Sequence, residues 1–322
     1  MIKAENLTKC YGETLAVDKL NFEIKMGEIV GLLGPNGAGK TTTMNLLTCY
    51  LPATSGTANI LGFDIHENSL EIRKRIGYLP EDNPLYEEMA VYEYLDFIAN
   101  LRGLHGVERD NRIKEIVTVC GIKEVISKDI GHLSRGYKQR VGFAQAILHN
   151  PEILILDEPT SGLDPNQARE IRELIKELKK EKTVILSTHI LSEVKAIADR
   201  VMIINKGKVV ADGTTAELEQ MVLGKEKIYV KLEAAESDVV PSLLMVEHVE
   251  HVKLRDKEGE NIFGYEIQAG KGVDIRKPLY KQIAKEGWPL LEMRREIASL
   301  EDIFQILTRE NAVKEEAAGK TV

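Results

Sequence analysis

At 322 residues, 43% hydrophobic and 29% charged, the chain is long enough to bury a full core, and its composition excludes the fibrous and disordered classes. A formal net charge of −8 argues against nucleic acid as a partner, and three isolated cysteines, Cys10, Cys49 and Cys120, provide neither a disulfide framework nor a zinc cluster. Charged residues stand where a signal peptide would be apolar, and no window approaches the roughly 18 apolar residues of a membrane span, so a cytoplasmic chain is expected.

Residues 1–28 read as short alternating strands joined by polar turns, a small antiparallel sheet. The aliphatic runs "EIVGLLG", "EILILDE" and "TVILSTH" follow, separated by helical patterns such as "QAREIRELIKELKKE". Buried strands alternating with helices predict an α/β layer fold with a mainly parallel sheet. Residues 71–130, with apolar spacings of three and four, read as mostly helical, an insertion within that fold. Beyond "VVADGTTAELEQMVLGKEK" the segments "KIYVKLE", "EHVKLRD", "GYEIQA" and "PLLEMRRE" read as strands. Helices are expected near 236–246, 273–286 and 298–310, the β-α-β-β-α-β order of a ferredoxin-like unit. Over 298–310, Leu300, Ile303, Phe304 and Leu307 form one apolar face. The expected domains are thus 1–220, with a helical part over about 82–150, then 226–310, and a tail at 311–322 without apolar content.

The stretch "GLLGPNGAGKTTTMNLL" follows a predicted strand and opens a predicted helix, and it matches G-x-x-x-x-G-K-[ST]. Its loop runs Gly34, Pro35, Asn36, Gly37, Ala38, Gly39, Lys40, Thr41 and Thr42. Glycines let backbone N–H groups wrap phosphate, the helix N-terminus favours negative charge, Lys40 reaches the terminal phosphates and Thr41 can ligate Mg²⁺. Downstream, Asp157 and Glu158 end a buried strand, the edge where open α/β sheets bind ligands. Asp157 suits Mg²⁺ opposite Thr41, and Glu158 is placed to act as general base on the attacking water.

With these motifs in order, residues 1–220 resemble the ATP-binding subunits of ABC transporters: an α/β P-loop NTPase core with an antiparallel β subdomain and a helical insertion. The resemblance rests on the phosphate loop, a signature motif at Leu133–Tyr137, the strand Ile153–Asp157, Glu158, the "SGLD" loop at Ser161–Asp164 and His189. It implies an ATPase with ATP and Mg²⁺, whose permease is a separate integral-membrane subunit, lying on the inner face of the cell membrane. It implies that Tyr11 stacks on adenine and His189 faces the γ-phosphate. Two ATPase subunits, two copies of this chain or a pair with another, would share each nucleotide, with Ser134, Arg135, Gly136 and Tyr137 of one reaching the phosphate held by the other and Asp164 contacting the partner.

Two departures from the family pattern stand out. The signature "LSRGY" carries Arg135 and Tyr137 where the family has glycine and glutamine, and this resembles the branch serving type-2 export permeases, including those associated with gliding motility. Arg135 either adds positive charge near the partner's phosphate or faces solvent. Glu81, in "GYLPEDN", stands where the family places a metal-sensing glutamine; it either ligates Mg²⁺ or is an ordinary strand-end carboxylate. A soluble ABC-type ATPase acting on the ribosome or DNA is a second reading, disfavoured because the chain has one motif set and no long coiled-coil insertion. A nucleotide-binding module without turnover is a third, opposed by the presence of both Glu158 and His189.

Overall fold

The first two strands, β1 (Ile2–Tyr11) and β2 (Thr14–Ile24), form a long antiparallel hairpin closed at Gly12, whose φ of 58° suits a residue without a Cβ. Along β1, Ile2 and Ala4 are buried while Lys3 and Glu5 face water, the period of two that a one-sided sheet requires. β3 (Ile29–Leu33) is buried at all five positions and feeds the phosphate loop, from which α1 (Lys40–Leu47) departs. β4 (Ser55–Ile60) and β5 (Phe63–Asp64) then return to the first sheet, giving the order β2-β1-β4-β5.

The chain continues through α2 (Ser69–Arg75), β6 (Ile76–Leu79), α3 (Val91–Leu101), α4 (Gly106–Val119), α5 (Arg135–Ile147) and β7 (Ile153–Leu156). The expected helical stretch at 71–130 is therefore broken: Ile76–Leu79 is a strand of the central sheet, too short for periodicity to reveal, paired in parallel with β7. After β7 come α6 (Pro165–Leu178), β8 (Thr183–Thr188), α7 (Leu191–Ile197), β9 (Arg200–Asn205), β10 (Lys208–Gly213) and α8 (Thr215–Val222). The six-stranded sheet has the order β10-β9-β3-β8-β7-β6, parallel except where β10 folds back on β9.

Strand pleating divides this core into two layers. Ile153, Ile155 and Ile185 join the cluster built from α1 and the amino-terminal sheet, whereas Leu154, Leu156, Val184 and Leu186 pack with the helical residues Ile116, Phe143, Ile171 and Ile175. Strands covered on both faces must be apolar throughout, which is why β7 and β8 read as unbroken aliphatic runs.

The computed structural model describes residues 1–179, 181–222, 226–259, 261–270 and 273–296. The chain divides into two units, Met1–Thr215 and Ala216–Val322. In the second, β11 (Glu226–Glu233), α9 (Glu236–Leu244), β12 (Val249–Glu258), β13 (Ile262–Ala269), α10 (Arg276–Glu286) and β14 (Leu290–Glu296) form an antiparallel sheet of order β12-β13-β11-β14. This is the ferredoxin-like arrangement, in which both helices cover one face and supply Val239, Leu243, Leu279 and Ile283 to the core around Ile228, Val230 and Tyr265. The helix expected at 298–310 and the tail at 311–322 lie outside the described residues. Among the described residues no helix is long and apolar enough to cross a membrane.

Candidate nucleotide-binding site

The phosphate loop sits at the carboxyl end of the central strand β3. Gly37 and Gly39 adopt φ of 78° and 104°, which only glycine takes without strain. A Cβ on Gly39 would lie 2.5 Å from the Ala16 carbonyl oxygen, so the loop is wedged against β2. The Gly207 amide also donates to the Ala38 carbonyl at 2.8 Å. The β1–β2 hairpin that ends in Tyr11 is thereby anchored beside the loop, and the Tyr11 ring itself is exposed with Lys9 Nζ 5.3 Å from its centroid.

Gly34 and Ala38 are buried, Pro35 is half-buried, and Asn36, Gly37 and Thr41 are exposed at the mouth, with Thr42 half-buried behind them. Lys40 is only 6% exposed, and its ammonium curls over the loop, donating to the carbonyl oxygens of Gly34 at 2.9 Å and Pro35 at 3.3 Å. A cation held inside a ring of amides at a helix N-terminus makes a strong anion site.

Across from Lys40, the end of β7 presents the two carboxylates. Asp157 is fully buried: Oδ1 accepts a hydrogen bond from Ser187 Oγ, and Oδ2 has no hydrogen-bond partner among the described residues. Burial pushes its pKa above the usual value and the Glu158 charge adds to that, while the nearby hydroxyls of Ser187 and Thr41 and the Lys40 ammonium pull it back. Glu158 adopts φ 47°, a left-handed conformation that costs a residue with a Cβ about 1–2 kcal/mol. The turn aims its carboxylate between two groups, Lys40 Nζ at 3.5 Å and His189 Nδ1 at 3.0 Å. His189, at the end of β8, is 47% exposed, so its free edge faces the open side. Strain held at such a junction of charged groups is typical of functional sites.

Glu81, two residues past β6, is exposed yet shares this field: partial burial and the charges of Asp157 and Glu158 raise its pKa, against Lys40. Thr41, Glu81, Asp157, Glu158, Lys40 and His189 are therefore brought to one place. Sequence reasoning passed over Ser187, which ties the place together. Its hydroxyl donates to Asp157 and accepts from the Glu158 amide at 2.9 Å, orienting both carboxylates from one buried position. A serine within an aliphatic run, directly beside the two carboxylates in a parallel register, was the available signal.

The signature segment lies elsewhere. Ser134 is the N-cap of α5, accepting from the Tyr137 amide at 3.4 Å, and it is exposed. Gly136 is covered by the Gln167 side chain, which would lie 2.7 Å from a Cβ, and Tyr137 packs on the helical core. Arg135 is exposed at the start of α5, and its guanidinium lies over Gly162. Asp164 caps α6, accepting from the amides of Asn166 and Gln167. Among the described residues no hydrogen bond or ion pair joins residues 133–137 to residues 34–42.

Comparison with known proteins bears on this geometry. A family model described as ABC transporter matches residues 17–161, and one described as AAA domain, putative AbiEii toxin, Type IV TA system matches residues 129–195. The chain is 36% identical to the bacitracin transport ATP-binding protein BcrA of Bacillus licheniformis, over 94% of this chain and 96% of that protein. It is 31% identical to the linearmycin resistance ATP-binding protein LnrL of Bacillus subtilis, over 96% and 98% of the two chains. Among solved structures, a dimeric post-hydrolysis state of the ATP-binding cassette MJ0796 with ADP and Pi aligns at a TM-score of 0.62 and 28% identity, covering 66% of this chain and 98% of that one. With this likeness along nearly its whole length and a phosphate loop facing a paired carboxylate and histidine, the chain belongs to the ATP-binding subunits of ABC transporters, a family of nucleotide-binding ATPases.

Proposed function

We propose that this chain drives an exporter by binding ATP between two copies of itself and hydrolysing it. What carries the reading is the division of the site. One end of the molecule holds a complete cradle and catalytic pair, Lys40, Glu158 and His189. Among the described residues the N-terminus of α5, where Ser134 is exposed and Gly136 lies under the Gln167 side chain, makes no hydrogen bond or ion pair with that cradle. Two copies facing head to tail would give each cradle the partner's Ser134 and Gly136, with Asp164 and the loop carrying it at the seam.

In this reading the backbone N–H groups of Asn36 to Thr42 and the Lys40 ammonium hold the phosphates, and Tyr11 supports the base. Glu158 accepts a proton from the attacking water, and His189, hydrogen-bonded to Glu158, orients it and faces the leaving phosphate. Mg²⁺ fits the same place: the partnerless Oδ2 of buried Asp157 and the Thr41 hydroxyl would hold it, with Glu81 at the rim. When bound, it would offset the negative charge of the phosphates and of three clustered carboxylates. Among the described residues no three His, Cys, Asp or Glu side chains form a metal cage, as suits an ion that shares its shell with phosphate oxygens.

Export, a separate integral-membrane permease and a position on the inner face of the membrane are inferred from the relatives, whose names are those of transport and resistance ATP-binding proteins matching this chain nearly end to end. The test is the mass of Glu158→Gln by light scattering, with and without ATP and Mg²⁺. This variant keeps the cradle and loses the base, so the expected result is a nucleotide-dependent dimer. A monomer at saturating nucleotide would reject sharing of the site between two copies of this chain.

A further inference from the structure

Glu193 stands on α7, four residues past His189, and is 8% exposed. A buried carboxylate is costly to keep, and an apolar side chain would fill the volume more cheaply. Its two oxygens serve the loop after Glu158 and the end of β8. Oε1 accepts from Thr160 Oγ1 at 2.6 Å, and Oε2 accepts from Thr188 Oγ1 at 2.9 Å. Arg172 Nη1, on α6, is 3.9 Å from Oε1.

Those two threonines adjoin the reacting groups. Thr160 is the second residue after Glu158, in a loop whose Pro159 carbonyl accepts from Gln139 of α5 at 2.9 Å. Thr188 immediately precedes His189, and its hydroxyl oxygen also accepts from the amide of Ile190 at 3.0 Å. A hydroxyl has one proton to give. Because that proton goes to Glu193, the Thr188 oxygen is turned toward Ile190, and the residues on both sides of His189 are fixed by one contact. The loop after Glu158 and the end of β8 before His189, whose side chains meet at 3.0 Å, are thus joined through a single carboxylate.

We propose, resting on the ATPase reading above, that Glu193 is a positioning residue for hydrolysis: it clamps the loop after Glu158 to the strand end bearing His189 and so holds the catalytic pair at its working distance. Glu193 touches neither the phosphate loop nor the nucleotide site, so its loss should act on turnover and leave binding alone. A misplacement of about 1 Å is enough to lower a rate by about 100-fold.

The experiment uses the full chain. Steady-state hydrolysis of MgATP and the Kd of a fluorescent ATP analogue are measured for wild type, Glu193→Ala, Glu193→Gln and His189→Ala with and without Glu193→Ala. The expected result is a kcat lowered about 10- to 100-fold in Glu193→Ala, with KM and Kd within about twofold. Glu193→Gln retains one acceptor oxygen and should fall between. In the His189→Ala background, Glu193→Ala should lose most of its effect, since the residue it positions is gone. A kcat within about twofold of wild type, or full additivity with His189→Ala, overturns the proposal. So does a parallel loss of kcat, affinity and melting temperature, which would mark a merely structural residue. Should Glu193→Ala not fold, Glu193→Gln decides by the same criteria. The imidazole signals of His189, assigned by its substitution, give a readout that needs no turnover: they should move in Glu193→Gln, and unchanged signals overturn the proposal. A wild type that binds but does not hydrolyse ATP would sink the ATPase reading, while the His189 signals still judge the clamp.

Discussion

Replacing Asp157 with asparagine should stabilise the ligand-free protein while impairing its response to nucleotide. The carboxylate is fully buried at the end of β7, one oxygen has no hydrogen-bond partner among the described residues, and burial raises its pKa above the unfolded value of 3.8. Between 3.8 and the raised folded value the folded state binds the proton more tightly than the unfolded one. Stability therefore falls as pH rises through that window. A buried polar atom without a partner costs about 1–3 kcal/mol, and the asparagine amide leaves a polar atom in the same place. Only the charge contribution is recovered, and for a unit of this size each kcal/mol so recovered raises the melting temperature by about 2–4 °C. Calorimetry at neutral pH, with and without MgATP, should show that rise without ligand and a much smaller upward shift on adding MgATP than in wild type. The gap between variant and wild type should close as the pH is lowered toward 3.8. A lower melting temperature for the variant at neutral pH would refute the reasoning, as would a MgATP shift equal to that of wild type.

Gly39→Ala should destabilise by about 2–4 kcal/mol and abolish nucleotide binding, because the new Cβ meets the Ala16 carbonyl oxygen at 2.5 Å and φ is 104°; denaturant unfolding and binding titration measure both. Ser134→Ala should alter stability by less than about 1 kcal/mol, since its capping bond is long at 3.4 Å and exposed, yet it should abolish hydrolysis. Mixing Ser134→Ala with Lys40→Ala subunits should restore one working site in each mixed dimer, and no recovery in demonstrated mixed dimers would contradict sharing across the interface.

The site was legible in the sequence wherever its chemistry is contiguous. Gly34 to Thr42 is a local structure: its glycines, lysine and helix start are neighbours in the chain, so spacing alone carries the geometry. Asp157, Glu158 and His189 were readable because each ends an aliphatic run, and in a parallel sheet the carboxyl ends of strands meet on one edge. The ferredoxin-like order of the second unit was equally visible, its strands being long enough to show a period of two.

What only tertiary structure decided involves partners far apart in the chain. Ile76–Leu79 is four residues long, and it is a strand because β7 pairs with it, not because its own pattern requires one. Ser187 read as a local hydrogen-bonding residue until the parallel register of β7 and β8 set it beside both carboxylates. Glu193 has no motif to mark it, and only the fold brings Thr160, 33 residues away, onto the carboxylate that also holds Thr188. The exposed guanidinium of Arg135 lies over Gly162, at φ 67°, a neighbour 27 positions on in the sequence that its own segment does not indicate. Local patterns report which residues can wrap phosphate or fill a core. The orientation of a side chain with a hydrogen bond to give depends on which acceptor the fold brings within 3 Å, and that is settled only when the sheet assembles.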